Sequence, residues 1–293
     1  MYRRWFWRAV SLPGVLWLCL FVLVPAYTLV AVAAGRVDEL FRPVPSWNLF
    51  TGNVGFIRLA FAGALPGGQF WGTVRNTVVY VVATLALCIA IGYPVAYYIA
   101  RHARRYRPLL IGLVVLPLWV SYLMRMLAWV GLLSRDGYLN QALASIGVAH
   151  PPDWLGGHPL TVIAALTYGY LPFFILPVYA GLDRLDRSVL DAGRDLGASP
   201  AVAFWHVTLP LSRPSLLAGG ALVALPAFGD YYTNDLISGS PRTNMLGNEV
   251  NLYVLGGPQK NLGASLVLVM MTILLVGMAY YVYATARQSA EPA

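Results

Sequence analysis

The chain has 293 residues, of which 58% are hydrophobic and only 11% charged, with a formal net charge of +8. Soluble domains run at roughly 25% charged, so most of this chain belongs where charge is expensive. The positive balance does not point to nucleic acid, because the arginines cluster at the ends of apolar runs, as in proteins whose topology is set by a bilayer.

In chain order, Arg3, Arg4 and Arg8 precede an apolar run at 12–34. Signal-peptide cores span about 7–15 residues and a membrane-crossing helix about 20, so the run reads as a retained first span. Residues 35–71 form a long outer connection, with an apolar stretch at 54–65 too short to cross and read as an interfacial or packing helix. The second span is expected at 72–100, kinked by Pro94, and is followed by the densest basic run, Arg101, Arg104, Arg105 and Arg107. Further spans are expected at 109–133, 160–182, 215–237 and 262–286, with outer connections at 134–159 and 238–261. This is an all-α integral membrane protein of six transmembrane helices. Its linear division is 1–71, a five-span core at 72–286 and a tail at 287–293. Six spans place both termini on one side. The inner segments then hold twelve basic residues against seven for the outer segments and span edges, which makes that side cytoplasmic. Cys19 and Cys88 lie inside apolar runs and read as small buried hydrophobes. The four histidines are scattered and form no ligand set.

One polar island interrupts this pattern. From Asp183 to Arg213 the chain holds four arginines and four acids, far more than a simple turn needs. The residues predict a helix at 188–196, ended by Gly197 in the left-handed conformation. Ser199 then caps a second helix at 200–207, with Pro200 in its first turn, and Leu209-Pro210 stops it. The bland alternative is an amphipathic loop resting on headgroups.

The spacing inside the island is informative. Asp191-Ala192-Gly193, three residues, Gly197, nine residues and Val207-Thr208-Leu209-Pro210 resembles the EAA loop of ABC importer permeases, whose pattern is E-A-A, x3, G, x9, I-x-L-P. Asp191, Gly193 and Val207 depart from it in residue type, and Gly193 costs its helix turn up to about 1 kcal/mol. Arg125-Met126-Leu127-Ala128-Trp129, with Leu133, Gly137 and Asn140 after it, resembles the spermidine/putrescine branch of that family. So does Leu171-Pro172-Phe173-Phe174, through Pro177 and Tyr179 to Leu182, together with Gly239 and Gly247-Asn248.

The resemblance implies a type I importer permease in a bacterial inner membrane. Two permease subunits, here expected to be this chain and a related second one, enclose a path above a dimer of ATPase subunits. A solute-binding protein delivers cargo from outside. ATP and magnesium belong to the ATPase, and the chain itself is expected to hold no cofactor, catalytic group or metal. A helix of the loop docks in the ATPase, with Asp191, Ala192, Gly193, Asp195, Gly197, Ala198, Leu209 and Pro210 as the coupling residues. Flipping a two-state transporter from 1:99 to 99:1 takes about 5.5 kcal/mol, and a surface salt bridge supplies about 0–1. An interlocking helix is therefore needed. The cargo implied is a polyamine such as spermidine or putrescine, or else an amino-acid-like solute, an opine, a phosphonate or a metal ion.

Charges inside spans are functional candidates. Arg125, beside Trp129, either snorkels outward, pairs with an acid or faces the path. Asp230 and Asp235 flank Tyr231 and Tyr232. On one straight helix the two acids point about 140° apart, so both face one path only if that helix is broken. Either one of them, with a neighbouring tyrosine, offers a weak cation site, or both are polar residues at an outer helix end meeting water or the binding protein. A secondary transporter usually shows two matching halves, and none is seen here. No P-loop G-x-x-x-x-G-K-[ST] is present, so the chain is not itself the ATPase.

Overall fold

The computed structural model describes the chain except residues 1–3, 40–41, 49, 51, 149–150, 187, 190–194, 196, 258 and 291–293. The side chains of residues 4–9, 280–281 and 284–290 are likewise outside the description. Two compact units emerge, Met1–Gly72 with Glu249–Ile273, and Thr73–Asn248 with Leu274–Ala293.

In the first unit, helix α1 (Arg4–Ala33) carries Pro13 and Pro25. Its large apolar side chains from Val10 to Val24 are exposed. Such a surface has no stable home in water and suits a helix solvated by lipid. The chain leaves α1 through a two-residue antiparallel pair, Arg36–Val37 with Pro43–Val44. Helix α2 (Gly55–Ala64) is ten residues long, too short to cross, and buries Ala60 and Gly63. Asn261 donates to the Val32 carbonyl at 2.7 Å, tying the last long helix to the end of α1. The Val32 carbonyl also accepts the Gly35 N–H at 3.0 Å, so Asn261 is its second partner at the end of α1.

The second unit begins along α3 (Trp71–Arg101), which contains Pro94. After it come α4 (Arg107–Val115), α5 (Tyr122–Leu133), α6 (Tyr138–Ser145) and α7 (Pro159–Arg184). Helix α7 is the core of this unit and buries thirteen residues, among them Phe174, Leu166 and Leu182. Lipid tails are as apolar as these side chains, so close packing rather than hydrophobic transfer holds the helices together. Beyond α7 come α8 (Pro200–Ala203), a π-helical turn (Phe204–Thr208), α9 (Leu209–Leu211), α10 (Arg213–Phe228) and α11 (Tyr232–Ile237). Helix α12 (Leu246–Asn251) and a second π turn lead to α13 (Lys260–Ala290).

Among the described residues, four helices are long and apolar enough to cross a bilayer alone, and the number reaches six if each of two bent pairs is one span. Interruptions within the spans correct two expectations. The third span is not one helix over 109–133. It runs from α4 through a 3-10 turn (Leu116–Trp119) and then bends by 91° into α5. Pro117 favours the tight turn, and Ser121 starts the new helix by accepting a hydrogen bond from the Met124 N–H at 3.3 Å. The fifth span is not continuous over 215–237 either. Helix α10 ends at Phe228, with Pro226 in its last turn, and α11 starts afresh at Tyr232.

The island brings a third correction. Leu209-Pro210 does not stop the second helix. The preceding turn widens so that the Leu209 N–H bonds the Phe204 carbonyl, five residues back. This π turn gives the proline ring room and absorbs its missing N–H, so helix continues as α9. The chain turns only at Ser212, where the pieces on either side meet at 63°.

Candidate functional site

Two polar features stand out in the second unit, one at each end of α10. At the end after Phe228, Asp230 is buried. Its Oδ1 accepts the Thr233 N–H at 2.9 Å, which ties the first turn of α11 to the residue just before its N-cap, Tyr231. Three hydroxyls point at its Oδ2: Tyr122 at 2.7 Å, Tyr170 at 3.0 Å and Thr233 at 2.8 Å. A carboxylate taken out of water is costly unless such donors replace the lost hydration. Gly247 lies under the break, where a Cβ would come within 2.9 Å of the Gly229 carbonyl oxygen and 3.0 Å of that of Asp230. Any larger residue there would push the break apart.

Arg125 is buried in α5 and does not reach out to the surface. Nor does it pair with an acid among the described residues. Its guanidinium lies 5.3 Å from the centre of the Tyr122 ring, and its Nη1 is 3.5 Å from the Gly169 carbonyl. The Nε has no hydrogen-bond partner among the described residues. Snorkelling and ion pairing are thus both replaced by a relay. The cation sits on the face of Tyr122, and the Tyr122 hydroxyl donates to Asp230. Trp129, one turn along α5, tilts against Tyr168 at 5.4 Å, in a cluster with Met126, Ala165 and Ile237.

The break lets the two acids differ. Asp235 is exposed, and its Oδ1 accepts from Asn248 at 2.6 Å. Tyr231 and Tyr232 stack beside it at 4.2 Å, with Tyr232 half exposed. Asn248 also donates to the Tyr231 carbonyl at 3.0 Å and accepts the Met245 N–H at 2.8 Å. From α3, Thr77 accepts the Leu246 N–H at 2.7 Å, and Asn76 donates to the carbonyls of Arg242 and Asn244. Tyr122, Tyr170, Thr233, Asn76 and Thr77 escape a reading by linear spacing, since they lie on four separate segments. Their signal is hydroxyl and amide groups inside apolar runs, where each must find a partner.

At the other end of α10 lies the island. Asp191, Ala192 and Gly193, and most of the helix expected at 188–196, lie outside the described residues. Asp195 is helical and exposed. Gly197 has φ +80°, the left-handed value expected of it. Ala198 follows, and Ser199 caps α8 by accepting the Val202 N–H at 3.3 Å. Leu209 and Pro210 lie in α9, half-buried. The π turn directs Phe204 onto α3, where its ring meets Tyr93 edge-on at 5.8 Å and Tyr97 at 5.7 Å. The Tyr93 hydroxyl and Ser212 Oγ are 3.0 Å apart. These contacts flank Pro94, the weak point of α3. The island is therefore latched to a crossing helix by aromatic edges.

The chain matches the model of the family described as "Binding-protein-dependent transport system inner membrane component" over residues 89–289. It is 38% identical over 199 residues to the spermidine/putrescine transport system permease protein PotB of Escherichia coli (strain K12), covering 67% of this chain and 72% of that one. Against the protein of the same description in Salmonella typhimurium (strain SL1344) it is 32% identical over 280 residues, 92% of each chain. Among solved structures, a bacterial alginate ABC transporter in complex with an alginate-bound periplasmic protein has a chain of similar fold. The TM-score is 0.73 at 17% identity, over 99% of this chain and 96% of that one. The MetNI methionine ABC transporter gives 0.53 at 18% identity, over 74% and 98%. A family match over more than half its length, close relatives along nearly all of it and a shared fold leave one assignment: the chain belongs to the inner-membrane permeases of binding-protein-dependent ABC importers.

Proposed function

We propose that this chain is one of two permease subunits of an importer that moves a polyamine such as spermidine or putrescine into the cytoplasm. The carrying observation is the 32% identity to a spermidine/putrescine permease over 92% of both chains. A second, related permease completes the path. A dimer of ATPase subunits binds ATP and magnesium below it, and an extracytoplasmic binding protein delivers the cargo. Both termini face the cytoplasm, the side given the larger share of arginines.

In this reading the island carries the movement. The segment expected to be helical at 188–196, with Asp191, Ala192, Gly193 and Asp195, is the part that seats in the ATPase. Gly197 and Ala198 form the corner, and Leu209 and Pro210 join the second helix to the bend at Ser212. When ATP closes the ATPase dimer, the force passes through Phe204 to Tyr93 and Tyr97, and through Ser212 to α10. Alternating access follows from tilting these helices.

On the path side, Asp235 is the acid that meets an amine. It is exposed beside the stacked faces of Tyr231 and Tyr232, so carboxylate and aromatic attraction act together on a cation. Asp230 has its oxygens occupied by its own donors and instead holds the break that presents Asp235. Arg125 and Trp129 support that arrangement from α5.

The test is to reconstitute the complex with its ATPase and binding protein in vesicles. Spermidine or putrescine is expected to stimulate ATP hydrolysis and to accumulate inside, and an ATPase unable to hydrolyse ATP should abolish accumulation. Stimulation by a different solute, with no response to any polyamine, would refute the cargo while leaving the importer assignment standing.

A further inference from the structure

A second feature of the second unit serves neither the island nor the acids. A laterally open cavity of about 600 Å³ lies between α3, α4 and α7. Its walls include Tyr98 and Ile99 on α3, Leu110 and Leu113 on α4, and Leu171 and Ile175 on α7. Prolines line all three sides: Pro94, Pro172 and, just after α4, Pro117. Each removes a helix hydrogen bond and bends or tightens its segment, which keeps the helices from closing on one another. No residue of α4 is buried, although the helix is almost wholly apolar.

The connection between two of its walls, α3 and α4, lies at one end of the groove. That connection, 101–107, carries Arg101, Arg104, Arg105 and Arg107. Arg107 is committed to Asp183 and Tyr179, and Arg101 to the Leu185 carbonyl. Arg104 and Arg105 are exposed and form no ion pair among the described residues. His102 stacks on Tyr98, the wall residue nearest this end of α3 apart from Ile99, at 5.9 Å. An apolar slot with two exposed cations on the connection that joins two of its walls has the complement of one molecule: a long hydrocarbon chain ending in a negative group.

We infer that the groove between α3, α4 and α7 binds an anionic phospholipid, with an acyl chain along Leu110, Leu113 and Ile175 and its phosphate held by Arg104 and Arg105. Basic pockets between crossing helices bind acidic headgroups. The bound chain fills the gap left by the prolines and so braces α3 beside Pro94, the same weak point that the Phe204 latch flanks. The inference stands apart from the identity of the cargo.

The test uses the assembled transporter in detergent, washed and then titrated with phosphatidylglycerol or phosphatidylcholine, with retained lipid read by native mass spectrometry. Phosphatidylglycerol should be retained in preference to phosphatidylcholine. The Arg104→Gln, Arg105→Gln double variant should lower that retention about 5-fold for each arginine removed, and the matching Lys variant should keep it. Leu113→Trp should occlude the groove and lower retention of both lipids. A photo-crosslinking group at position 113 should capture lipid. Equal retention of the two lipids, indifference to loss of both arginines, or capture of another protein chain at position 113 would each overturn the inference.

Discussion

The two ends of α10 are held by opposite kinds of interaction. After Phe228 the chain is fixed by charge and hydroxyls, with four donors converging on one buried carboxylate. Before Arg213 it is held to α3 by aromatic edges and a hydroxyl contact, Phe204 on Tyr93 and Tyr97 and Tyr93 with Ser212. Hydrogen bonds to a buried charge are directional, so moving one helix relative to another breaks them outright. Edge-to-face ring contacts have a shallow optimum and tolerate some sliding. One end therefore suits a fixed frame, and the other suits a joint through which a partner's motion passes.

The sharpest way to break this contrast is at Asp230. Asp230→Ala should leave the Tyr170 hydroxyl and the Thr233 N–H without their acceptor and the Tyr122 and Thr233 hydroxyls with only each other, at a cost of about 3–5 kcal/mol. Thermal unfolding of the purified complex should show a large drop, and Asp230→Asn, which keeps an acceptor for the Thr233 N–H, a smaller one. An Ala variant as stable as the parent would remove the fixed-frame reading.

The joint predicts a different failure. Phe204→Ala should leave assembly and ATP hydrolysis in place while cutting uptake about tenfold, because two aromatic pairs of about 0.5–1.5 kcal/mol each are lost from the transmission. If hydrolysis and uptake fall in parallel, or neither falls, the ring does not transmit the motion.

Asp235→Asn keeps an oxygen for Asn248 and removes only the charge. Stability should not change, while the KM for polyamine uptake rises up to about fivefold. A KM that does not move would place the amine contact elsewhere. The smallest effect is expected at Arg107–Asp183, a partly exposed pair at the ends of α4 and α7. Asp183→Asn should cost less than about 1 kcal/mol in the same unfolding measurement.

Much of this molecule can be read from its residues in order. Long apolar runs bounded by arginines dictate crossing helices, because no other local structure satisfies the backbone in lipid. Gly197 and Ser199 set the corner of the island, since left-handed backbone and helix capping are local demands that one residue can meet. Pro210 is misleading for the opposite reason. Whether a proline ends a helix depends on whether the preceding turn can widen, and here the packing of Phe204 against α3 accompanies that widening. Arg125 and Asp230 show the same limit. As isolated charges in apolar runs they announce that partners exist, but Tyr122 and Tyr170 stand 48 residues apart, with no period linking them. The chain by itself determined where the charges are and that each must be neutralised. Only the tertiary structure decided that a tyrosine, rather than an opposite charge, stands between Arg125 and Asp230, because helices far apart in sequence had first to be packed side by side.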